Sequence, residues 1–479
     1  ANTTGNANTA IGTYSIYQNT TGNGNTGLGN YVLSENTTGS NNVAIGSSAL
    51  AANTSGTENV AIGLRALATN TTATVNTAVG WKALEANNGF ANTAVGSTTL
   101  MSNTSGNVNI AMGSGALELN TTGSSNVGLG ADALHYNTTG TDNTGVGYKA
   151  LEDNTIGSQN TALGEYALET NKANTRSLAV GYKAMQFADN RTTGRITYNT
   201  AVGYEAMKGS STPANNTGAN NTALGYQALF QNTTGYQNTA LGIGTLISNL
   251  SGSDNTAVGG DVLTANTSGD ANVAVGTAAL RMNTTAGHNT AVGYYALSSS
   301  VIGARNNSFG SRNLRYNTGS DNNSFGEQAL YSNSGNGNLA FGNGAMYGNT
   351  TGELNVAIGH GAFARNLSGN NNIAIGAYAG EKIADTQTQN LLANNSVYIG
   401  YAAYPKASGE TNQIVIGHRA VGRGSNTIQL GNTSITEVNT SGKVIAGGGF
   451  VPGKYTAAQR DAILNPDQGL MIYCTNCGP

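Results

Sequence analysis

The sequence predicts an all-β protein, a parallel β-solenoid or β-roll of about 25 short coils of 17 residues. Three observations carry this: a glycine recurring at a fixed interval, side-chain columns that keep their chemistry from coil to coil, and a composition that suits corners better than a bulky core. The glycines closing each "AVG"-type triplet lie at 12, 29, 46, 63, 80, 96, 113, 130, 147, 164, 181, 203, 225, 242, 259, 276, 293, 310, 326, 342, 359, 376, 400, 417 and 431. Of the 24 intervals, 17 are 17 residues, three are 16, two are 22, one is 24 and the last is 14. A self-similar period this short marks a stacked repeat, because one repeat cannot bury a face alone.

The columns define the coil. The residue before the marker glycine is apolar in all 25 coils, from Ile11 to Leu430, and the residue four after it is apolar in 24, Gly380 being the exception. These read as two core columns, exemplified by Ile45, Val79 and Val292 in the first and by Leu50, Leu84 and Leu297 in the second. Two residues before the glycine stands Ala, Gly or Ser in 22 coils, the departures being Tyr398, Val415 and Gln429. Four before it stands Asn in 21, the others being Ser177, Ser396, Gln413 and Thr427. Asn stacked on Asn predicts amide ladders along the axis, and glycine supplies positive φ at the corners. At about 4.8 Å per coil, 25 coils make a rod on the order of 120 Å. Successive strand residues point to opposite faces, and neither the Ala nor the Val/Ile column admits charge. Both faces are therefore expected to be buried, the Val/Ile column inside the coil and the Ala column against another chain, which predicts an oligomer.

Composition narrows the function. The chain has 479 residues, 68 of them Gly, 5 Pro, 1 Trp and 9% charged, with a net charge of -3. Charged residues normally make up about 25% of a globular domain, so this is not an ordinary enzyme composition. Without basic runs, electrostatic binding of nucleic acid is not expected. No apolar run reaches the 18–20 residues of a membrane helix. "ANTTGNANTA" lacks Met and any signal pattern, and starts in mid-phrase, so upstream repeats or a targeting segment are expected.

The core phrase, as in "NVAIGSSAL" (42–50) and "NIAIGAYAG" (372–380), resembles the head repeats of trimeric autotransporter adhesins of the YadA-like kind. The resemblance covers residues 1 to about 435; the added "NTTG" corner departs from the shorter coils of those heads. It implies a left-handed β-roll that trimerises. The segment 395–438 and the end "YTAAQRDAILNPDQGLMIYCTNCGP" look like parts of tail-fibre-domain proteins of Bacteroidota and their phages. The resemblances imply an extracellular fibre, on a bacterial surface or a virion, for adhesion or receptor binding. A self-assembling structural filament with head-to-tail contacts is the alternative. An ice-binding solenoid ranks third, because the Thr after the ladder Asn is often replaced, as at Val43 and Val60.

Three regions are expected: regular coils over 1–380, divergent coils and an exit strand over 381–445, and a small α+β cap or adapter over 446–479. In the cap, Thr456 is a helix N-cap, Pro466 ends the helix and "GLMIY" is a strand. Cys474 and Cys477 could form a local disulfide, half a metal site or an interchain link; a redox role would need a βαβ context that is absent. The long intervals 181–203, 203–225 and 376–400 read as surface loops; they are the best places for ligand contact or simply tolerated insertions. Corner Asn residues in N-x-S/T sequons at Asn2, Asn19, Asn36, Asn53, Asn70, Asn103, Asn120, Asn137, Asn232, Asn249, Asn266, Asn283, Asn349 and Asn366 would carry a glycan stripe, unless Asn-Thr-Thr-Gly is only repeated turn chemistry. His135, His288, His360 and His418 are isolated, so no catalytic constellation, cofactor site or metal site is expected.

Overall fold

The computed structural model describes residues 3–435, together with the backbone of 454–455 and 473–474. Twenty-five three-residue strands, β1 (Thr9–Ile11) to β25 (Ile428–Leu430), form one parallel sheet in which each strand pairs with the next in the chain. Register is strict: Ala44 lies opposite Ala61, and Ala61 opposite Ala78. The chain is thus a parallel β-solenoid with one coil per repeat, and 24 steps of about 4.8 Å give the stack a length of roughly 115 Å. The longer intervals leave the register intact, since β11 (Leu178–Val180), β12 (Thr200–Val202) and β13 (Thr222–Leu224) pair in sequence. Ala1–Asn432 forms one compact unit and Thr433–Pro479 a second. In the second, β26 (Lys454–Tyr455) pairs in parallel with β27 (Tyr473–Cys474). The expected helix after Thr456, its end at Pro466, and Cys477 lie outside the described residues.

Hydrogen bonds between coils extend beyond the strands. In the third coil the N–H groups of Val43, Leu50, Ala52 and Thr54 donate to carbonyls of the following coil, while those of Gly46, Ser48 and Glu58 donate to the preceding one. This alternation requires αL conformations at recurrent positions, Ser48 (φ 56°), Leu50 (φ 49°) and Glu58 (φ 58°) among them. An L-residue held there costs roughly 1–2 kcal/mol, which the inter-coil bonds offset. In return Ala49 and Leu50, adjacent in sequence, are both fully buried within one coil, whereas an extended strand would point them to opposite faces. The marker glycine is fixed by space as well as by conformation. Gly46 has φ 123°, and a Cβ on it would lie 2.7 Å from the backbone of Gly63.

The interior reverses the expected assignment of the strand's two faces. The Ala column is the inner one: Ala44, Ala78 and Ala291 are fully buried within their own chain. Ile45, Val79 and Val292 lie on the outer face of the sheet and are only half-buried. Thickness explains the reversal. At Gly128, where this column lacks its methyl, an added Cβ would already touch Leu117 of the preceding coil at 3.4 Å. The thin coil has room inside for a methyl, and the larger residue is turned outward. The second column is internal as expected, with Leu50, Leu84 and Leu297 fully buried.

At two places the core columns change together. A Cβ on Gly380 would sit 2.6 Å from Phe363 and 3.1 Å from Tyr398. Those two rings, 6.1 Å apart and fully buried, fill the space that the missing Leu leaves. Burial pushes the Tyr398 phenol up to about 12. Ser308 likewise replaces Ala where Asn313 replaces another, and its hydroxyl lies 2.8 Å from Asn313 Oδ1.

Candidate functional site

Two Asn columns run inside the coil wall. Asn42 donates from Nδ2 to Asn25 Oδ1 of the previous coil (3.1 Å) and to the Gly56 carbonyl (2.9 Å). The corner column repeats this logic: Asn53 Nδ2 reaches Asn36 Oδ1 at 2.7 Å and the Gly56 carbonyl at 3.0 Å. Buried amides paired in this way satisfy themselves without water.

This geometry bears on the glycan stripe expected at the sequons. Asn19, Asn36, Asn53, Asn70, Asn103, Asn120, Asn137, Asn232, Asn249, Asn266, Asn283, Asn349 and Asn366 are all buried, Asn232 at 4% exposure and the rest at 0%. In each, Nδ2 donates to the carbonyl three residues on. The atom that would bear the sugar faces the interior, and the folded coil has no space for one. Asn2 lies outside the described residues. The exposed hydroxyls at these corners belong to the second Thr or Ser, such as Thr38 and Ser55.

Surface features remain, and the outer face of the sheet is the longest. Each strand presents two outward residues, such as Thr77 and Val79, and none of the 50 such positions is charged. At the chain's 9% charged fraction, about four or five would be expected. Met112 is 53% exposed, Leu224 44% and Phe341 55%. Phe309 and Phe325 stack face to face at 4.8 Å on this surface. An apolar strip the length of the stack exceeds the few hundred Å² usual on a monomer.

The two 22-residue intervals form a second feature. Asn216 of one insertion donates to the Phe187 carbonyl of the other, tying them together. Asp189, 2% exposed, accepts two bonds from the Arg191 guanidinium (Nε to Oδ1 2.9 Å, Nη2 to Oδ2 2.7 Å), with Arg195 Nε at 3.3 Å. Burial opposes ionisation, but the Arg191 side chain and N–H outweigh it and hold the carboxyl below its usual range. Beneath lies a cavity of about 30 Å³ lined by Asn171, Asn174, Ser177, Asp189, Thr197 and Asn199. That is room for a single water molecule. The corner ladder stops here, Asn171 Oδ1 having no donor above it, because the next coil carries Ala188 at that place. The two insertions are thus tied to each other at this corner, while residues 191–194 and 211–212 stay exposed. The 376–400 insertion is more open: Asp385 accepts from the N–H groups of Gln387 and Thr388 in an exposed turn.

The third feature is an aromatic and cationic ribbon along the corners that follow the marker glycines. Tyr182, Tyr204 and Tyr226 stack at 5.3 Å in successive coils, and Lys183 lies over Tyr182. Farther along, Arg315 sits between Tyr295 and Tyr316, and Tyr331 stacks on Tyr347 at 5.1 Å. Sequence reasoning missed this ribbon because its residues are one or two positions away in some coils and five or six in others. Read at both offsets, the tyrosines would have shown it.

Among the described residues no group of three or more His, Cys, Asp or Glu side chains is placed to hold a metal ion, and no helix is long and apolar enough to cross a membrane. The four histidines stay apart from acids that could form a relay, except His135, whose Nδ1 is 3.8 Å from Asp132. No family model and no curated protein matches this chain.

Proposed function

We propose that the protein is a non-enzymatic extracellular fibre, a rigid rod that serves surface adhesion or receptor binding as an adhesin head or tail-fibre shaft. One observation carries the reading: an uncharged, largely apolar outer sheet face running through all 25 coils. Such a strip is unfavourable in water and favours burial against copies of itself. The resemblance to YadA-like heads sets the number of copies at three and the hand of the coil as left. The packing surface differs from the one the sequence suggested, being the Thr/Val/Ile face in place of the Ala column. The segment 446–479 acts as an adapter between the rod and its attachment, at a cell surface or in a virion.

A self-assembling structural filament is the second reading, favoured by the mixture of donors and acceptors that an open coil end offers. Ice binding is disfavoured by the uneven outer face, where Phe309, Phe325 and Phe341 stand among Thr and Val.

Native light scattering on the full chain tests the proposal. A particle of three chains of 48.5 kDa is the expected result. Replacing Val258 and Val292 by Lys is expected to dissociate it while the β signal in circular dichroism persists. A wild-type mass of one chain overturns the oligomeric fibre, and polydisperse assemblies far above three chains select the filament.

A further inference from the structure

We propose that coils 17 to 22 carry a binding site for an acidic glycan, a saccharide chain bearing carboxylate or sulfate groups. The proposal rests on the fibre reading and gives it a ligand class.

The first ground is charge placed without partners. At the ribbon's corners (one, two, five and six residues after the marker glycine), coils 17–22 carry Arg312, Arg315, Arg365 and Lys382 against Glu327 and Glu381. In coils 7–10 the same corners carry six acids against Lys149. Several cations elsewhere on this surface are matched, Arg65 with Glu85, Lys149 with Glu152 and Lys208 with Glu205, while Lys183 and Arg419 lie over tyrosines outside the site. Among the described residues, Arg312, Arg315 and Arg365 form no ion pair. Arg315 is held between Tyr295 (5.0 Å) and Tyr316 (5.1 Å), and its Nη1 donates to the Tyr331 hydroxyl at 3.4 Å. Arg365 is exposed and lies over Tyr347 at 5.7 Å. Guanidinium groups fixed in this way are prepared for bidentate contact with a planar anion.

The second ground is shape. Gly344 and Gly361 remove the side chains of two successive corners, and a Cβ on Gly344 would meet nothing within 4 Å. The result is a surface depression of about 290 Å³ bordered by Asn343, Tyr347, His360, Arg365, Tyr378 and Glu381. Amide, imidazole, phenol and carboxylate around one depression offer donors and acceptors to several hydroxyls at once. A polymer running along the ribbon meets an equivalent corner every ~4.8 Å.

The third ground separates glycan from nucleic acid. Single-stranded nucleic acid binds through bases laid on free aromatic faces. Here Tyr331 and Tyr347 cover each other at 5.1 Å and 9°, and the Arg365 guanidinium lies over Tyr347. With its faces occupied, this stack has little to offer a base and presents ring edges and hydroxyls.

Fluorescence anisotropy on the full chain, with labelled heparin and polygalacturonate fragments as probes and neutral dextran and oligothymidylate as comparators, tests the site. Both acidic glycans are expected to bind and dextran is not. Arg312→Gln, Arg315→Gln and Arg365→Gln combined should weaken binding by at least about tenfold, as expected for loss of charge-assisted contacts. Arg365→Gln alone, at an exposed position, should weaken it severalfold and guards against misfolding of the combined variant. Lys149→Gln, in the acidic stretch, should leave it unchanged. Wild-type affinity in the combined variant, or oligothymidylate binding as tight as the glycans, overturns the proposal. Particle mass is measured on the same samples, so a failed glycan site in an intact oligomer is distinguished from failure of the fibre reading.

Discussion

The coils from 19 to 171 and the two coils that follow them meet the same need differently. In the regular stretch, buried polarity is carried by neutral amides, corner Asn bonded to corner Asn one coil away, as Asn120 to Asn103 at 2.7 Å, with a single break between Asn70 and Asn87. At coils 11 and 12 the corner ladder stops at Asn171, and a buried carboxylate clamped by Arg191 takes the place. The first arrangement is indifferent to pH and can be extended coil by coil. The second is local, charged and adjoined by a cavity. Repetition is possible where the interior is neutral, and an insertion is accommodated where charge closes the gap.

Several perturbations would break or sharpen that contrast. The largest effect is expected from Leu134→Ala in the regular stretch, where a fully buried side chain between tightly stacked coils leaves a cavity costing about 2–5 kcal/mol. Because each coil touches only its neighbours, the loss should appear as faster amide exchange in coils 7 to 9, with little change in distant coils. Uniform acceleration along the chain would contradict the nearest-neighbour picture. Next, Asn120→Ala should cost about 1–3 kcal/mol, since Asn103 Oδ1 loses its donor and Asn137 Nδ2 one acceptor. Its expected signature is exchange at the amides of Thr121 and Thr138.

Acid should act on the second region alone. The Asp189 carboxyl is held below its usual value, so its contribution is complete above the unfolded pKa of about 3.9 and is lost as pH falls through the lower folded value. Protease cleavage within 186–199 is expected to appear below about pH 4 and to precede any change in the amide-laddered coils, whose interior has nothing to titrate. Asp189→Asn should expose the same segment at neutral pH. The smallest effect is expected from Thr38→Ala, an exposed corner hydroxyl, within about 0.5 kcal/mol in thermal unfolding.

The fold was legible where chemistry repeats. The marker glycines located all 25 strands, because in the first 24 a φ near 120–140° and the backbone of the next coil exclude other residues. The internal position of Leu50 and its equivalents also followed from the columns. The direction of Ala44 and Ile45 did not, since alternation says that two residues face opposite ways without saying which way is in. Coil thickness decides that, and a single sequence does not state thickness. The sequons are ambiguous for a related reason: Asn-Thr-Thr-Gly is both a modification signal and a corner whose amide bonds to the carbonyl of its own Gly. Asp189, Arg191 and Arg195 were visible inside "ADNRTTGR", yet the burial of Asp189, beside an insertion that Asn216 of the next one ties down at Phe187, was not.

The opposed N–H directions around each coil have a further consequence. An α-helix aligns its peptide dipoles and accumulates opposite partial charges at its ends. Here Leu50 donates toward one end of the stack and Ser48 toward the other, so the dipoles largely cancel within every turn. A stack built this way gains no axial polarisation as it lengthens. Adding or deleting a coil leaves the electrical environment of both tips unaltered, and a gene can vary the reach of the molecule by whole repeats without retuning what sits at either end.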